Sequence, residues 1–333
     1  MRRLPAEFEK QSFIQVIFPH HNSDWSEYLE DAESNFIDII KATSTYQECL
    51  VVCDDKEYVQ NKFDSLTNLH FIQVPTNDTW ARDCSAITVY EDEKPLLLDF
   101  TFTAWGGKFE AGLDNKLSQE LSCFYSVPMK KMDYILEGGA IESNGKGTLL
   151  ITSKCVYNPN RNIMSIEQSN TILKESFGVT NILSLEHGYL SGDDTDSHID
   201  TLARFVNEST IVYLKCDNKY DEHFNQLQEM EKELQSFKDQ DGNSFNLISL
   251  PFTKPIYDED ERLPATYANF LILNKAVLVP VYNDIHDEEA IEILNKAFPQ
   301  HKIVPIDAQT LIRQHGSLHC VTMQFPAGVN LKT

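Results

Sequence analysis

Short apolar runs alternate with amphipathic stretches along the whole chain, and no Pro-, Ser- or Gly-rich tract interrupts them. Phe13–Phe18, Cys49–Cys53, Thr148–Thr152, Thr210–Leu214 and Ala276–Val281 are rich in Val, Ile, Leu and Phe. They are bounded by turn residues and too short for buried helices, so they predict strands. Between such runs, Ser26–Lys41, Leu113–Phe124, Ile163–Phe177, Tyr220–Phe237 and Asp287–Ala297 predict helices. In the fourth, Phe224, Leu227, Met230, Leu234 and Phe237 recur at spacings of three and four and make one apolar stripe. Asp287, Glu288 and Glu289 open the fifth, where carboxylates suit the positive end of the helix dipole. Strand pairs each followed by a helix read as an α/β fold. The length of 333 residues suggests two domains, but no linker marks a boundary. Repeated α/β units along one domain are expected instead, although no self-similarity between units is visible in the letters.

Charge narrows the function classes. Lys and Arg total 28 against 51 Asp and Glu, a net charge of −23. A nucleic-acid binder needs basic surface to neutralise phosphate, so that class is excluded, and an anionic membrane surface is disfavoured for the same reason. A cationic substrate is compatible with the balance. No apolar run approaches the roughly 18 residues of a membrane span. The charged start, Met1 to Lys10, is neither a signal nor a transit peptide. The seven cysteines at 49, 53, 84, 123, 155, 216 and 320 fit no disulfide framework, which points to free thiols in a reducing cytoplasm.

Polar residues crowd beside turn residues in Asn77–Asp83, Glu137–Glu142, Gly192–Asp200 and His315–Cys320. The Asp-rich third segment invites a metal reading. A calcium loop starting at Asp194 would need Gly sixth and Glu twelfth, where Ile199 and Phe205 stand. A zinc site would want more His or Cys, so no metal is expected. Asp193, Asp194 and Asp196 read equally as caps of a turn. If His198 and Asp200 lie on extended chain, both point to one face; the alternative is an exposed loop pair. Cys320 is either a buried small residue or a thiol at a loop-to-strand junction, partly exposed and reactive. His319 would face away from Cys320 along a strand, which leaves His198 as the candidate base. Glu137 precedes two glycines, which let another group approach closely.

In this order the segments resemble the agmatine deiminase family, part of the wider guanidine-modifying group that includes peptidyl-arginine deiminases. The family pattern N-D-x-W-x-R-D, A-W-G-G, E-G-G-x-I-E, D-D-T-D-x-H-x-D-x-x-A-R-F and H-C appears as Asn77–Asp83, Ala104–Gly107, Glu137–Glu142, Asp193–Phe205 and His319–Gln324. Two stretches depart from it. Cys84-Ser85-Ala86 follows the Arg82-Asp83 pair where many relatives have Gly-Pro, and Gly316-Ser317-Leu318 replaces a run of three glycines.

The resemblance implies a five-bladed α/β propeller of ββαβ units, pseudo-fivefold around a central channel, as one catalytic domain over 1–333 with no cofactor. It implies Cys320 as nucleophile, His198 as general acid/base and Glu137 as its partner. Asp83 and Asp200 would clamp a guanidinium, and Trp80 would line the alkyl chain. Asp78 and the acidic turn containing Asp194 are candidates for a distal amine. The implied activity is hydrolysis of agmatine to N-carbamoylputrescine and ammonia, a step in putrescine and polyamine metabolism. A deiminase of free or peptidyl arginine is the alternative; a non-catalytic polyamine binder and a cysteine peptidase fit less well. A homo-oligomer stays open.

Overall fold

The structure, a computed structural model, describes residues 1–332. Five of its sheets share one order. An antiparallel pair of strands comes first, and a third strand is added in parallel after a helical crossover. In the first sheet Thr322–Pro326 runs antiparallel to Gln11–Ile17, with Phe325 opposite Phe13. Gln11–Ile17 then pairs in parallel with Glu48–Cys53, and that strand with Leu69–Gln73. The other four start with Ile87–Glu91 on Lys94–Thr101, Ile141–Ser143 on Thr148–Thr152, Ala203–Asn207 on Thr210–Leu214, and Leu271–Ile272 on Ala276–Val281. Their parallel third strands are Met129–Ile135, Asn181–Leu185, Asn246–Leu250 and Lys302–Asp307.

Parallel strands covered by helices are buried on both faces, so their side chains are apolar without alternation. Every residue of Thr148–Thr152 and of Thr210–Leu214 is buried. The crossover helix Leu29–Tyr46 turns Phe36, Ile39 and Ile40 inward, and Phe224–Ser236 does the same with Leu227, Met230 and Leu234. Mixed sheets joined by such helices make an α/β fold, as the alternating runs require.

Four helices differ from expectation. The first opens as 3-10 helix over Ser26–Tyr28, and its α-helical part, Leu29–Tyr46, runs past Lys41. Leu113–Phe124 is broken into Asp114–Lys116, Leu117–Leu121 and Ser122–Phe124. Leu117 and Leu121 are buried, which produces the helical spacing, but Asp114 is held by the backbone N–H groups of Asn77 and Asp78. The third helix starts at Ile166 because Ser165 and Gln168 form a capping box there. The fourth starts at Phe224, since Asp221 is taken by Arg262 and His223. Met129–Ile135, Ile141–Ser143, Ala203–Asn207 and Thr322–Pro326 are strands that the apolar-run criterion does not find. The first carries exposed Lys130, Lys131 and Asp133, and the third carries Arg204. Among the described residues no helix is long and apolar enough to cross a membrane.

Candidate active site

Each of the five antiparallel pairs is entered through a polar residue that belongs to one cluster. Asp83 comes shortly before Ile87–Glu91, Glu137 before Ile141–Ser143, and His198 with Asp200 before Ala203–Asn207. Asn269 comes before Leu271–Ile272, and Cys320 before Thr322–Pro326. Cys320 therefore does sit at a loop-to-strand junction, although it is 4% exposed. His198 and Asp200 are not on extended chain: Ile199–Thr201 is a turn of 3-10 helix that His198 precedes.

Gly139 shows how close the polar groups lie. A Cβ there would stand 2.6 Å from His198 Nδ1, 2.9 Å from Asp83 Oδ1 and 3.1 Å from Asp200 Oδ2. His198 is wholly buried, and neither ring nitrogen has a hydrogen-bond partner among the described residues. Its Nδ1 faces Asp83 Oδ1 at 3.7 Å and its Nε2 faces Glu137 Oε2 at 3.9 Å. Burial would lower the pKa of His198, yet the charges of Asp83 and its other neighbours hold it well above the usual value. Asp83 accepts from the Gly139 N–H at 3.0 Å and from Trp105 Nε1 at 3.0 Å. Burial, reinforced by Asp200 and Glu137, pushes its carboxyl up. Glu137 is buried too, but His198 and the Arg161 guanidinium, whose Nε lies 3.1 Å away, hold it below the ordinary range.

Asp200 keeps one oxygen, Oδ1, without a partner. Its other oxygen faces His319 Nδ1 at 2.7 Å. His319 Nε2 in turn faces Glu7 Oε2 at 2.6 Å, and Arg204 donates to the same oxygen at 2.7 Å. Two carboxylates on one imidazole require both ring nitrogens to donate. His319 thus faces away from the cavity, as expected, but it anchors Asp200. Glu7 is deeply buried, yet His319 and Arg204 drive its carboxyl far below the usual range. Arg204 also pairs with Glu142 at 2.9 Å. Asn269 closes the cluster: its Oδ1 accepts from the N–H of His319 at 2.8 Å and lies 3.4 Å from Cys320 Sγ. Burial, with Asp200 and Asp83 nearby, pushes the Cys320 thiol well up.

Cys320 and Asp83 form part of the wall of a cavity of about 540 Å³, along with Trp80, Asp78 and Asp194. His198, Glu137 and Asp200 stand behind that wall. Trp80 packs against Trp25 and Trp105 and donates to Asp78 Oδ2 at 2.9 Å. Gly316 is needed here, since a Cβ would come within 2.1 Å of the Trp80 ring. Asp24, Glu110 and Asp114 complete the acidic lining; neither Lys nor Arg contributes to it. Burial, Asp24 and Asp114 push the Asp78 carboxyl up to about 7, and burial takes Asp114 to about 6. In the Asp-rich turn, Asp193 caps Thr195 and Ser197, while Asp196 pairs with Lys108 and Arg161.

Glu7, Asn269, Arg161 and Arg204 are the residues the motifs did not single out as site groups. Glu7 lies far from every motif. Asn269 had a faint signal, a polar residue directly before the apolar Phe270–Leu273 run.

A buried thiol, an imidazole and three carboxylates thus stand beside an acid-lined cavity in an α/β fold. The chain belongs to the Porphyromonas-type peptidyl-arginine deiminase family, whose pattern matches residues 3–326. It is similar to the agmatine deiminase of Stutzerimonas stutzeri, 29% identical, with 97% of this chain and 95% of that protein covered. A Cys→Ser variant of C. jejuni agmatine deiminase, solved with substrate bound, is 41% identical with a TM-score of 0.94, covering 99% of this chain and 98% of that one. The agmatine deiminase of Enterococcus faecalis superposes with a TM-score of 0.91 at 26% identity, covering 98% and 96% of the two chains. DDAH from Pseudomonas aeruginosa, 14% identical with a TM-score of 0.53 over 95% of this chain and all of that one, shares the fold alone.

Proposed function

We propose that this protein hydrolyses agmatine to N-carbamoylputrescine and ammonia through a covalent intermediate on Cys320. The single observation that carries the choice of substrate is the cavity: a thiol at its wall, acidic residues around it, and no basic residue but His315. A dication is welcome there, whereas the carboxylate of arginine would meet like charges. Family membership and the agmatine deiminases named above support the same reading.

In this reading Asp83 and Asp200 accept the paired N–H donors of the guanidinium, as carboxylates do bidentately. The free oxygen of Asp200 suits that task. Clamping fixes the central carbon near Cys320 and neutralises the two carboxylates that keep the thiol protonated, so the thiol gives its proton to solvent and the thiolate forms as substrate arrives. Cys320 attacks the carbon, and His198 gives its proton to the nitrogen that leaves as ammonia. Water then loses a proton to His198, attacks the S-alkylthiouronium and expels the thiolate. Glu137 orients His198 as the third member of a triad does. Trp80 lines the alkyl chain, with Asp78 and Asp194 toward the distal amine. We take the five sheets as blades of a five-bladed α/β propeller and residues 1–333 as one catalytic domain. That arrangement brings the five strand entries to one centre.

The test compares ammonia release from agmatine, arginine and a peptide ending in arginine. Agmatine is expected to be turned over with the highest kcat/KM; equal or better turnover of arginine rejects the reading. Its amine side has a pH signature. Asp78 is protonated below about pH 7, so kcat/KM for agmatine should rise as pH passes that value and the carboxylate forms. Asp78→Asn should flatten this limb and raise KM for agmatine about tenfold, a loss of ~1.4 kcal/mol, without raising KM for arginine.

Glu7 acts at a distance, through His319 on Asp200. Glu7→Gln removes the charge opposite His319 and is expected to lower kcat/KM by about 10–100-fold, the usual cost of losing a supporting partner. KM should carry more of the change than kcat, and Glu7→Asp should restore part of it. A fall in melting temperature with unchanged kinetics would assign Glu7 to folding alone.

A further inference from the structure

Cys155 has no part in the chemistry above, yet its thiol lies beside the reacting imidazole. It sits in the short helix Ser153–Val156 and is wholly buried. Its Sγ is 4.0 Å from Glu137 Oε2. Glu137 Oε2, Cys155 Sγ and a His198 ring nitrogen all lie within 4.8 Å of one another. We infer that a thiophilic divalent cation such as Zn²⁺ or Co²⁺ binds Glu137, Cys155 and His198, and that it stops turnover by occupying His198. The inhibitory half rests on the role given to His198 under the proposed function; the binding half does not.

The donor set fits such an ion. Thiolate, imidazole and carboxylate ligands at about 2.0–2.3 Å are those of zinc with three protein ligands and one open position. Ligand atoms on a tetrahedral ion are spaced closer than the 3.9 and 4.0 Å to Glu137 Oε2 here, and the third separation is within 4.8 Å, so the three side chains must close in around the ion. The surroundings fit as well. A metal-bound histidine usually gives its other ring N–H to a carboxylate. Here His198 Nε2 faces the cluster while Nδ1 faces Asp83 Oδ1 at 3.7 Å. Both ring nitrogens lack hydrogen-bond partners, so the ion displaces nothing from them. Arg161 Nε holds Glu137 Oε1 at 3.1 Å and Oε2 at the longer 3.4 Å, which leaves Oε2 as the freer oxygen. Three carboxylates, Asp83, Glu137 and Asp200, surround the cluster and offset the cost of an arginine beside a cation. Binding would release the Cys155 thiol proton, and any proton on His198 Nε2, to solvent. Mg²⁺ and Ca²⁺ prefer all-oxygen sites and should not compete.

The experiment uses the full chain as Cys320→Ser, which removes the competing thiol at the cavity. Titration with Co²⁺ should give a thiolate-to-cobalt absorption that saturates at one equivalent and is lost when Cys155→Ser is added. In case the double variant does not fold, zinc X-ray absorption on the Cys320→Ser protein should show one sulfur at about 2.3 Å with nitrogen and oxygen ligands. A sulfur-free zinc shell, or a cobalt band that persists without Cys155, overturns the site. On the protein with Cys320 intact, Zn²⁺ should inhibit ammonia release and a chelator should reverse it. The half-inhibiting concentration should be at least about tenfold higher in Cys155→Ser. Zinc bound through one sulfur with turnover unaffected would keep the site and overturn the role of His198.

Discussion

Cys320→Ala should abolish ammonia release from agmatine, with kcat at least about 10⁴-fold lower, the scale of losing an activated nucleophile. The structure makes the substitution clean. Cys320 is a small side chain whose Sγ lies 3.4 Å from Asn269 Oδ1. Its replacement removes one sulfur and should cost about 1 kcal/mol of stability. Asp83 and Asp200 stay in place, so agmatine should still bind within about threefold of its original affinity. Isothermal titration and an ammonia assay on one preparation separate the two effects. Mass spectrometry of the unaltered protein during turnover should find an adduct on the peptide containing Cys320. Residual turnover above about a hundredth, or an adduct on a different cysteine, would remove Cys320 from its role.

His198→Gln is expected to lower kcat by about 10³–10⁴-fold, because in the proposed mechanism one imidazole serves both halves of the reaction. Its pH dependence gives a second readout. Burial disfavours the charged ring, but Asp83 and the other acidic neighbours outweigh it and hold His198 well above its ordinary value. A raised value means the ring is protonated below it and loses the proton as pH climbs past it. In the free enzyme, kcat/KM should therefore fall on the alkaline side, beyond the rise that Asp78 sets near pH 7. The glutamine has no proton to lose there, so that alkaline limb should vanish with the activity level. His319→Gln offers the contrast. It should loosen Asp200, raise KM more than it lowers kcat, and leave the alkaline limb in place.

The α/β class was legible because the parallel strands are buried on both faces. Thr148–Thr152, Thr210–Leu214 and Ala276–Val281 have the bounds that their apolar runs predict. Strands whose polar residues carry the site were not. Ala203–Asn207 holds Arg204, an arginine satisfied by Glu7 and Glu142 from distant parts of the chain. No local pattern encodes such a pairing. The same holds within the site. Asp83, Glu137, His198, Asp200 and Cys320 each sit in a short motif rich in turn residues, and motifs can be read. Glu7 and Asn269 act through contacts across long sequence separations, which a single sequence leaves invisible. Extended chain is the reading that puts His198 and Asp200 on one face, whereas a turn of 3-10 helix brings them together.

The way five strand entries each deliver a group to one cluster makes activity a gauge of the weakest link. In the proposed mechanism no sheet owns the chemistry, so a brief opening of any antiparallel pair would withdraw a reacting or supporting side chain. Loss of turnover on warming should then follow the least stable of the five pairs rather than the average of the fold. The shortest is Leu271–Ile272 with Ala276–Val281, registered through Leu271↔Leu278 and Ile272↔Val277. It delivers Asn269, the side chain that touches the backbone of His319 and the thiol of Cys320. Hydrogen exchange at those amides, followed beside residual activity, reads both ends of that link in one temperature series.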